Sequence, residues 1–469
     1  MKTFSSTDMT IIVVMVIAYI LVTAWLSTRL RSKSSNEFLV ASRTMPAFVV
    51  GVLMMSEFIG AKSSVGTAQG VFESGIAASW AVLSLAIAFP LFGIFLAKKL
   101  YNSGEFTISG AVAKRYGRST QLIISLIMIY ALLLVNLGNY LSGAAAISTV
   151  LHLSLPAAAF ITAVVSTFYF AFGGLKSVAY VTVIHTAVKY LGVFIVLGVA
   201  LSLTGGISPM VEKLPAYYFT WDGQIGPSKL IAWLIGNIGA VFCTQFIVQA
   251  ISSTKSAEGA RRSTYIAAAL SIPFSIALGV IGLAAKFTYP DIKSIYALPV
   301  FLHEMGPALA GVVTISLVAS VFVGVSTVSL AIASLVIKDF YIPMFKPDPQ
   351  REFRATRLLS IAIGFVPLLL VFFAPGLLQL SFFTRALRLS ISIVAMLAFY
   401  VPMFGNNRAA SWGLGAAAVL TSVWYVLGDP FGIDNMYIAL ATPAVAMVLE
   451  RVISKIAHAD PAQSPKPNA

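Results

Sequence analysis

The sequence predicts an all-α polytopic membrane protein. Of its 469 residues, 58% are hydrophobic and only 10% are charged, and the mean hydropathy is +0.91. Apolar stretches of about 20 residues, the length that an α-helix needs to cross a bilayer, recur along the whole chain. The sequence has no polar stretch long enough for a separate soluble domain. We therefore expect residues 1–469 to form a single transmembrane unit.

About thirteen stretches have the length and apolar character of a spanning helix. They lie at residues 9–27, 45–70, 76–97, 120–150, 156–173, 178–204, 228–252, 263–286, 306–337, 355–374, 379–403, 410–427 and 435–454. The polar tail at 458–469 is rich in proline and predicts a disordered segment.

Lysine and arginine residues are concentrated in alternate loops. Arg29 and Lys33 follow the first span, and Lys255 and Arg261 follow the seventh, whereas the loop that contains Asp222 is mixed in charge. We expect the protein to lie in the plasma or inner membrane. By the positive-inside rule, its N-terminus is expected outside and its C-terminus in the cytoplasm. This topology explains the net charge of +14 without nucleic acid as a partner. We expect a monomer or a weak homo-oligomer.

Lys62 lies within an apolar segment, Met45 to Gly70, about 17 residues or ~25 Å from its start. A cation at this depth costs roughly 2.5–3.5 kcal/mol on insertion scales, so it should face a cavity or a partner. Poor helix formers surround Lys62: Ser56, Gly60, Ser63, Ser64 and Gly66. They predict a break in the helix, and a helix that is broken at mid-membrane exposes backbone groups that bind ions and substrates. The alternative is a lysine that extends to the interface.

A second segment, Ile231 to Gln249, carries Gly236, Asn237 and Gly239 near its middle. It is the sixth segment counted from the one that contains Lys62. Two interrupted helices at equivalent places in two five-helix halves indicate a transporter built from an inverted repeat. The halves would be residues 45–204 and 228–403, with one extra helix at 9–27 and two extra helices at 410–454.

Four motifs in the same order resemble those of the sodium:solute symporter family. They are FTISGAVAKRYG at 106–117, FGGLKSVAYVTVIHTAVKYLG at 172–192, TQFIVQAISSTKSAEGARRS at 244–263 and VSTVSLAIASLVIKDFY at 325–341. The resemblance runs from about Glu37 to Asn407. It implies a LeuT-type five-plus-five inverted repeat in which the first and sixth core helices are broken, and transport by alternating access.

The resemblance also implies a sodium site between the first and eighth core helices. Ser56, Ile59 and Val323 would contribute carbonyl oxygens, and Ser326 and Thr327 would contribute hydroxyl oxygens. Hard cations take oxygen ligands, and carbonyls freed by a broken helix can supply them. The alternative is that the two hydroxyls only bond to carbonyls one turn earlier in their own helix.

The chain departs from the family pattern at several positions. Val181 and Thr182 stand where many members have a Thr-Asp pair, which argues against a second sodium ion, and Ala250 replaces an arginine. His185 stands in place of a glutamine and either titrates near neutral pH or packs with one hydrogen bond. Lys62 lies one turn beyond Ile59, so its charge could weaken sodium binding or replace the ion with a proton carrier.

Matching to the family places the substrate where the two broken helices face each other. The expected contacts are Lys62, Ser63 and Gln69 from the first broken helix, Asn237, Thr244 and Gln245 from the second, and Arg385 and Arg388 from the tenth core helix. Arginine suits the bidentate binding of a carboxylate. The cavity would be positive and would favour a carboxylate, an amino acid or an acidic sugar over a neutral sugar, unless Glu57 forms an internal ion pair with Lys62.

Two classes of function remain open from the sequence. The first is a secondary transporter, coupled to sodium or, alternatively, to protons, or independent of sodium. The second is a sensor that uses the same fold. An enzyme is not expected, because the sequence has neither a nucleotide-binding loop nor a metal-binding cluster and its four histidines are scattered.

Overall fold

The computed structural model describes residues 4–30, 32, 34–151, 153–170, 174–373, 377–401 and 404–458. Over these residues the regular structure is helical, and the one β contact is an isolated bridge between Met45 and Thr254. Most of the tail predicted at 458–469 lies outside the described residues, as do residues 171–173 of the second motif.

The bundle is built from helices that follow one another along the chain. They are α1 (Ser6–Arg29), α2 (Ala47–Phe58), α3 (Ala61–Ser74), α4 (Ile76–Asn102), α5 (Ile108–Tyr116), α6 (Arg118–Leu151), α7 (Leu155–Phe170), α8 (Gly174–Thr204), α9 (Pro227–Cys243), α10 (Gln245–Ser252), α11 (Ala257–Thr288), α12 (Pro307–Leu335), α13 (Pro349–Phe365), α14 (Leu377–Tyr400), α15 (Asn407–Val426) and α16 (Asn435–His458).

Nine helices among the described residues are long and apolar enough to cross a membrane, or up to eleven spans if each of two bent pairs counts as one. The polytopic all-α class is therefore confirmed. The other two predicted spans, at 156–173 and 355–374, correspond to α7, which is shorter, and to α13, which continues as a 3-10 helix from Val366 to Phe373. The count of thirteen is not established.

The first predicted break is confirmed. Helices α2 and α3 meet at an angle of 50°, and Ile59 between them leaves helical geometry at φ −103°, ψ 54°. The last carbonyl groups of α2 and the first amide groups of α3 are therefore released from the helical pattern. Both kinds of group lie inside the bundle, since the side chains from Val49 to Val65 are buried.

The second break occurs, but not where the glycines predict it. Helices α9 and α10 meet at 47°, and the backbone turns at Thr244, which has φ −56° and ψ 124°. Gly236 and Gly239 lie inside α9, where a Cβ atom would come within 2.5 Å of Met436 and 2.3 Å of Leu389. These glycines permit close packing against α16 and α14, a role that small residues commonly have between membrane helices.

Helix α12 is the centre of the bundle. Every side chain from Val313 to Leu335 is buried, and α6, α8 and α1 pack around it. No residue from Pro307 to Leu335 is ionisable. The helix therefore presents only apolar, hydroxyl and backbone groups to its neighbours.

Beyond Leu335 the same helix continues to a buried carboxylate. Asp339 accepts hydrogen bonds from Ser109 Oγ at 2.5 Å, from Gln121 Nε2 at 2.7 Å and from the Ser125 hydroxyl. Its backbone carbonyl accepts from Arg118. This network joins the end of α12 to α5 and α6.

Candidate functional site

A lysine binds the backbone oxygens at the first helix break. Lys189 of α8 places its Nζ atom 2.8 Å from the carbonyl oxygen of Ile59, 2.9 Å from Ser56 Oγ and 3.4 Å from the carbonyl oxygen of Ser56. The hydroxyl of Ser56 also shares a hydrogen bond of 2.5 Å with Thr186 Oγ1. Lys189 is 1% exposed, so its amino group is enclosed by the protein at this point.

The three predicted sodium ligands on α12 are all buried. The Ser326 hydroxyl donates to the carbonyl of Phe322 at 2.5 Å, and the Thr327 hydroxyl donates to that of Val323 at 2.9 Å. A hydroxyl oxygen keeps its lone pairs after donating such a bond, so these two hydroxyls can still coordinate a cation. The amino group of Lys189 is the feature that does not fit a sodium ion, because it binds two of the three predicted carbonyl ligands, those of Ser56 and Ile59.

His185 lies one turn before Lys189 on α8. Its Nδ1 atom forms a hydrogen bond with the hydroxyl of Tyr19, and its ring packs edge-on against Phe322 at 6.0 Å between centroids. The residue is 1% exposed. These contacts agree with a packed histidine that holds α1 against α8.

Four charged side chains line a small cavity beside the first break. Glu57, Lys62, Arg385 and Arg388 line one cavity together with uncharged residues from α2, α3 and α6, and each is buried. The uncharged lining residues are Phe58, Gly60, Ser63, Val135 and Asn139. The cavity measures about 10 Å³, which is close to the minimum for one water molecule.

The two arginines are held by different elements. Arg388 donates from Nη1 to Thr244 Oγ1 at 2.8 Å and from Nε to the carbonyl of Thr384 at 2.9 Å. Arg385 donates to the carbonyl of Ala81 at 3.1 Å. The second helix break therefore reaches the cavity through Thr244, and the guanidinium groups have donors left over, because each has five.

Lys62 is positioned by a glycine. A Cβ atom on Gly138 of α6 would lie 2.5 Å from Lys62 Cδ, so the aliphatic part of the lysine fills the space that Gly138 leaves. In the described part of the chain no ion pair shorter than 4.0 Å joins Lys62 to Glu57. Glu57 Oε2 is buried without a hydrogen-bond partner there. The alternative of a direct internal ion pair is thus not what the structure contains.

Gln245, a predicted substrate contact, lies at a different place. Its Oε1 accepts from the backbone N–H of Ile108 at 2.9 Å, and its Nε2 donates to the carbonyl of Phe106 at 2.9 Å and to Ser334 Oγ at 3.0 Å. These bonds fasten the start of α5 to α10 and α12. The side chain supports the packing of these helices and does not line the cavity.

Asn237 and Gln69 also lie outside the cavity lining. Asn237 donates from Nδ2 to the carbonyl of Ala81 at 3.2 Å, which ties α9 to α4. Gln69 donates to Glu73 Oε1 and to Ser294 Oγ, both at 3.2 Å. Of the predicted substrate residues, the cavity brings together Lys62, Ser63, Arg385 and Arg388, with Thr244 bonded to one of them.

A larger cleft of about 860 Å³ opens next to the cavity. Trp233 and Phe382 line it and stack on each other with ring centroids 4.2 Å apart. The guanidinium of Arg385, which lines the small cavity, lies 4.6 Å from the centre of the Phe382 ring. Phe382 therefore lines the open cleft and also contacts an arginine of the charged cavity.

Sequence reasoning missed Lys189, although a signal was present. The residue lies near the middle of the predicted span at 178–204, so it is a cation at depth like Lys62. The surrounding segment contains no cluster of helix-breaking residues. Only the three-dimensional packing of α8 against the break in another helix reveals which groups this lysine binds.

Comparison with known proteins gives a family match and several relatives. The family model described as the sodium:solute symporter family matches residues 38–414. The sodium/glucose cotransporter of Vibrio parahaemolyticus is 25% identical over 354 residues, which cover 67% of this chain and 65% of that protein. The high affinity choline transporter 1 of Homo sapiens is 25% identical over 69% of this chain and 58% of its own. The match thus spans about three fifths of these two relatives.

Two further similarities concern a bacterial relative and a solved structure. The osmoregulated proline transporter of Bacillus subtilis is 24% identical over 71% of this chain and 72% of that protein. The structure of a Na+-coupled sialic acid symporter superposes with a TM-score of 0.81 at 18% identity, covering 94% of this chain and 98% of that one. At this identity the likeness establishes the fold, and it confirms the LeuT-type architecture that the motifs imply.

Proposed function

Because the chain belongs to the sodium:solute symporter family, we propose that it is a secondary transporter that carries a small organic anion across a membrane by alternating access. Its family and its structural neighbours are transporters and not enzymes. The spanning helices make it a multi-pass membrane protein.

The observation that carries the proposal is the charge of the cavity. Lys62, Arg385 and Arg388 contribute three cations, and Glu57 is the one carboxylate among the lining residues. A cation buried at membrane depth is costly unless it has a partner. A bound carboxylate would supply that partner and would accept charge-assisted hydrogen bonds from the guanidinium groups.

The helix break adds to the attraction for an anion. Helix α3 begins directly after Gly60, its start has no side-chain cap, and Lys62 lies in its first turn. The N-terminus of a helix carries partial positive charge, so a cation is unfavourable there and an anion is favourable. A carboxylate bound beside Lys62 would relieve both effects.

The dimensions of the two spaces support a mechanism of alternating access. A pocket for a small organic molecule usually encloses about 300–1,000 Å³, and the charged cavity is far smaller. The larger cleft has the appropriate volume, and Trp233 and Phe382 are among the residues that line it. We infer that separation of this aromatic pair lets substrate pass from the cleft to the arginines.

Family membership makes sodium the expected coupling ion, as the sequence also predicts, whereas the amino group of Lys189 occupies two of the predicted carbonyl ligands. Coupling to protons is the alternative, with Lys62 as the carrier that the sequence suggests. The substrates named for the relatives include glucose, choline and proline, so substrate class varies within the family. The residues of the cavity are therefore the better guide to what this chain carries.

A thermal-stability panel on the purified protein tests the substrate class. Pyruvate, succinate, glutamate and glucuronate are the anionic probes, and glucose is the neutral match for glucuronate. A ligand that binds the folded state raises its apparent stability by RT ln(1+[L]/Kd). We expect at least one anion to stabilise the protein and glucose not to do so.

Variants then assign the effect to the cavity. Lys62→Ala or Arg388→Ala should weaken the stabilising anion about ten- to a hundredfold, because one charge-assisted contact contributes roughly 1.5–3 kcal/mol. Lys255→Ala and Arg262→Ala, which alter exposed cations, should leave the affinity unchanged. Strong stabilisation by glucose, or wild-type affinity in both cavity variants, would contradict the proposal.

Uptake distinguishes a transporter from a sensor built on the same fold. The anion that stabilises the protein is loaded, in labelled form, outside proteoliposomes that contain the wild-type chain. A transporter moves the label into the lumen, whereas a sensor binds it without accumulation. Binding without any exchange across the membrane would favour the sensor.

A further inference from the structure

We propose that the amino group of Lys189 is the resident cation of this chain at the broken first helix, in the place where the family is expected to hold sodium, and that the chain therefore works without binding sodium there. This inference rests on the proposed transport function only for its meaning in the cell. The geometry that supports it does not depend on the substrate.

The contacts of Lys189 match those expected of a bound cation. Its Nζ atom lies 2.8 Å from the carbonyl oxygen of Ile59 and 2.9 Å from Ser56 Oγ, with the carbonyl oxygen of Ser56 at 3.4 Å. These carbonyl groups are two of the three that the family motif assigns to sodium. One lysine thus engages the backbone oxygens that the break in the helix makes available.

Other features of the site favour a tethered cation over a free one. Lys189, Ser56 and Ile59 are all at most 1% exposed. Helix α12, which would complete the sodium site, has no ionisable residue between Pro307 and Leu335, and in the described part of the chain no carboxylate lies within 4.0 Å of Lys189. A sodium ion on the same oxygens would meet the ammonium at contact distance with no anion to screen the repulsion.

The position of Lys189 also explains how α8 and the break are coupled. Thr186, one turn earlier on the same helix, shares a hydrogen bond with the hydroxyl of Ser56. Helix α8 therefore holds the break through two side chains, and α8 itself packs along α12. In a symporter driven by sodium, the ion would join the broken first core helix to the eighth core helix, which is α12 in this chain. Here Lys189 instead joins the break to α8.

Sodium titration of the purified wild-type chain is the first test. Apparent stability and binding of radioactive sodium are measured in NaCl and KCl at equal ionic strength, without substrate. We expect identical stability in the two salts and no saturable sodium binding. A sodium-specific rise in stability that saturates, together with bound radioactive sodium, would overturn the proposal.

The second test removes the tethered cation. Lys189→Ala leaves the carbonyl oxygens of Ser56 and Ile59 without their donor, and we expect this variant to gain saturable, sodium-specific stabilisation. Lys176→Ala on the same helix, whose lysine instead pairs with Glu37 at 3.8 Å, should stay insensitive to sodium. A folded Lys189→Ala variant that is equally insensitive would show that these oxygens are not a cation site, and would also overturn the proposal.

A triple variant links the gained response to the predicted ligands. Ser326→Ala and Thr327→Ala, added to Lys189→Ala, should lower the gained sodium affinity about tenfold or more, since hydroxyl ligands are lost. If Lys189→Ala does not fold in either salt, the wild-type titration still decides, because it needs no variant. Failure of the anion panel would leave these sodium results intact, and a sodium-binding wild type would leave the anion result intact.

Discussion

Gly138 of α6 leaves the space that the aliphatic part of Lys62 fills: a Cβ atom at position 138 would lie 2.5 Å from Lys62 Cδ and 2.9 Å from Cγ. Two carbon atoms that are not bonded to each other cannot approach so closely, so a methyl group at position 138 must displace the side chain of Lys62. The relationship provides a way to move a cavity cation without altering its charge.

We predict that Gly138→Ala weakens binding of the stabilising anion about tenfold, which corresponds to roughly 1.4 kcal/mol. The ammonium of Lys62 would shift within the cavity while the net charge stays the same. The measurement is the concentration of anion that gives half of the maximal thermal stabilisation.

Gly198→Ala is the matched control for this change. Gly198 lies in α8, and a Cβ atom there would have no neighbour within 4 Å. Alanine is the better helix former by about 1 kcal/mol, so this variant should be as stable as the wild type or more so, with unchanged anion affinity. Equal affinity in both glycine variants would show that Lys62 does not contact the anion.

Glu57→Gln should lower the stability of the protein without ligand and increase the stabilisation that a bound anion provides. Glu57 is the one carboxylate in a lining that includes Lys62, Arg385 and Arg388. Two like charges 4 Å apart repel each other by about 4 kcal/mol at an effective dielectric constant of 20. Without the negative charge of Glu57, the three cations repel one another with no carboxylate to offset the repulsion. Because none of the three is in direct contact with Glu57, we expect the free energy of unfolding without ligand to fall by only about 1–3 kcal/mol.

The same variant gives the opposite result with ligand, because an anion then replaces the missing negative charge. The stabilising shift with the anion identified in the panel should therefore exceed that of the wild type. Glu212→Gln, which changes an exposed carboxylate, serves as the control for net charge. If Glu57→Gln reduces the anion-induced shift, Glu57 belongs to the binding contacts and the proposed charge balance is wrong.

The first helix break was predictable from sequence because its signal is local. Poor helix formers and a lysine occur together within a span, and each is unfavourable in an uninterrupted membrane helix. The second break was misplaced because glycine has two uses in membranes. Gly236 and Gly239 permit close helix packing, whereas the turn occurs at Thr244, a residue that carries no such signal.

Partner groups from distant segments could not be predicted in the same way. The family motif identifies Ser56 and Ile59, but the residue that binds them, Lys189, is 130 or more positions away along the chain. Likewise Gln245 looks like a binding residue beside a broken helix, and the structure uses it to hold the start of α5. Such outcomes depend on which helices pack together and on their rotation about their axes.

Membrane orientation remains a prediction of the distribution of basic residues, and labelling can test it. Asp222→Cys and Lys255→Cys place one thiol in each of two loops that should face opposite sides. The native Cys243 is 0% exposed and gives little background. A maleimide that does not cross membranes, applied to intact cells, should label position 222 and leave position 255 unlabelled until the cells are opened. Labelling of position 255 alone in intact cells would reverse the assigned topology.

Asp339 supplies the last prediction, which concerns stability. Its carboxylate accepts hydrogen bonds from Ser109, Gln121 and Ser125. Asp339→Ala would leave these donors without their acceptor, and the hydroxyls of Ser109 and Ser125 are buried. Each unsatisfied buried group costs about 1–3 kcal/mol. We expect a loss of roughly 3 kcal/mol or more in the apparent free energy of unfolding in detergent.

Asp339→Asn should cost less, about 1–2 kcal/mol, because an amide still accepts a hydrogen bond and the serine hydroxyls can rotate to accept one in turn. Asp348→Ala is the control for the loss of an exposed carboxylate. Asp348 caps α13 by accepting from the N–H groups of Gln350 and Arg351 at 3.0 and 2.9 Å, and loss of such a cap costs about 0.5–2 kcal/mol. From most to least stable, the expected order at position 339 is wild type, Asp339→Asn and Asp339→Ala. If Asp339→Asn cost as much as Asp339→Ala, the negative charge that both variants lack would be the stabilising feature, and the hydrogen bonds that the amide can keep would contribute little.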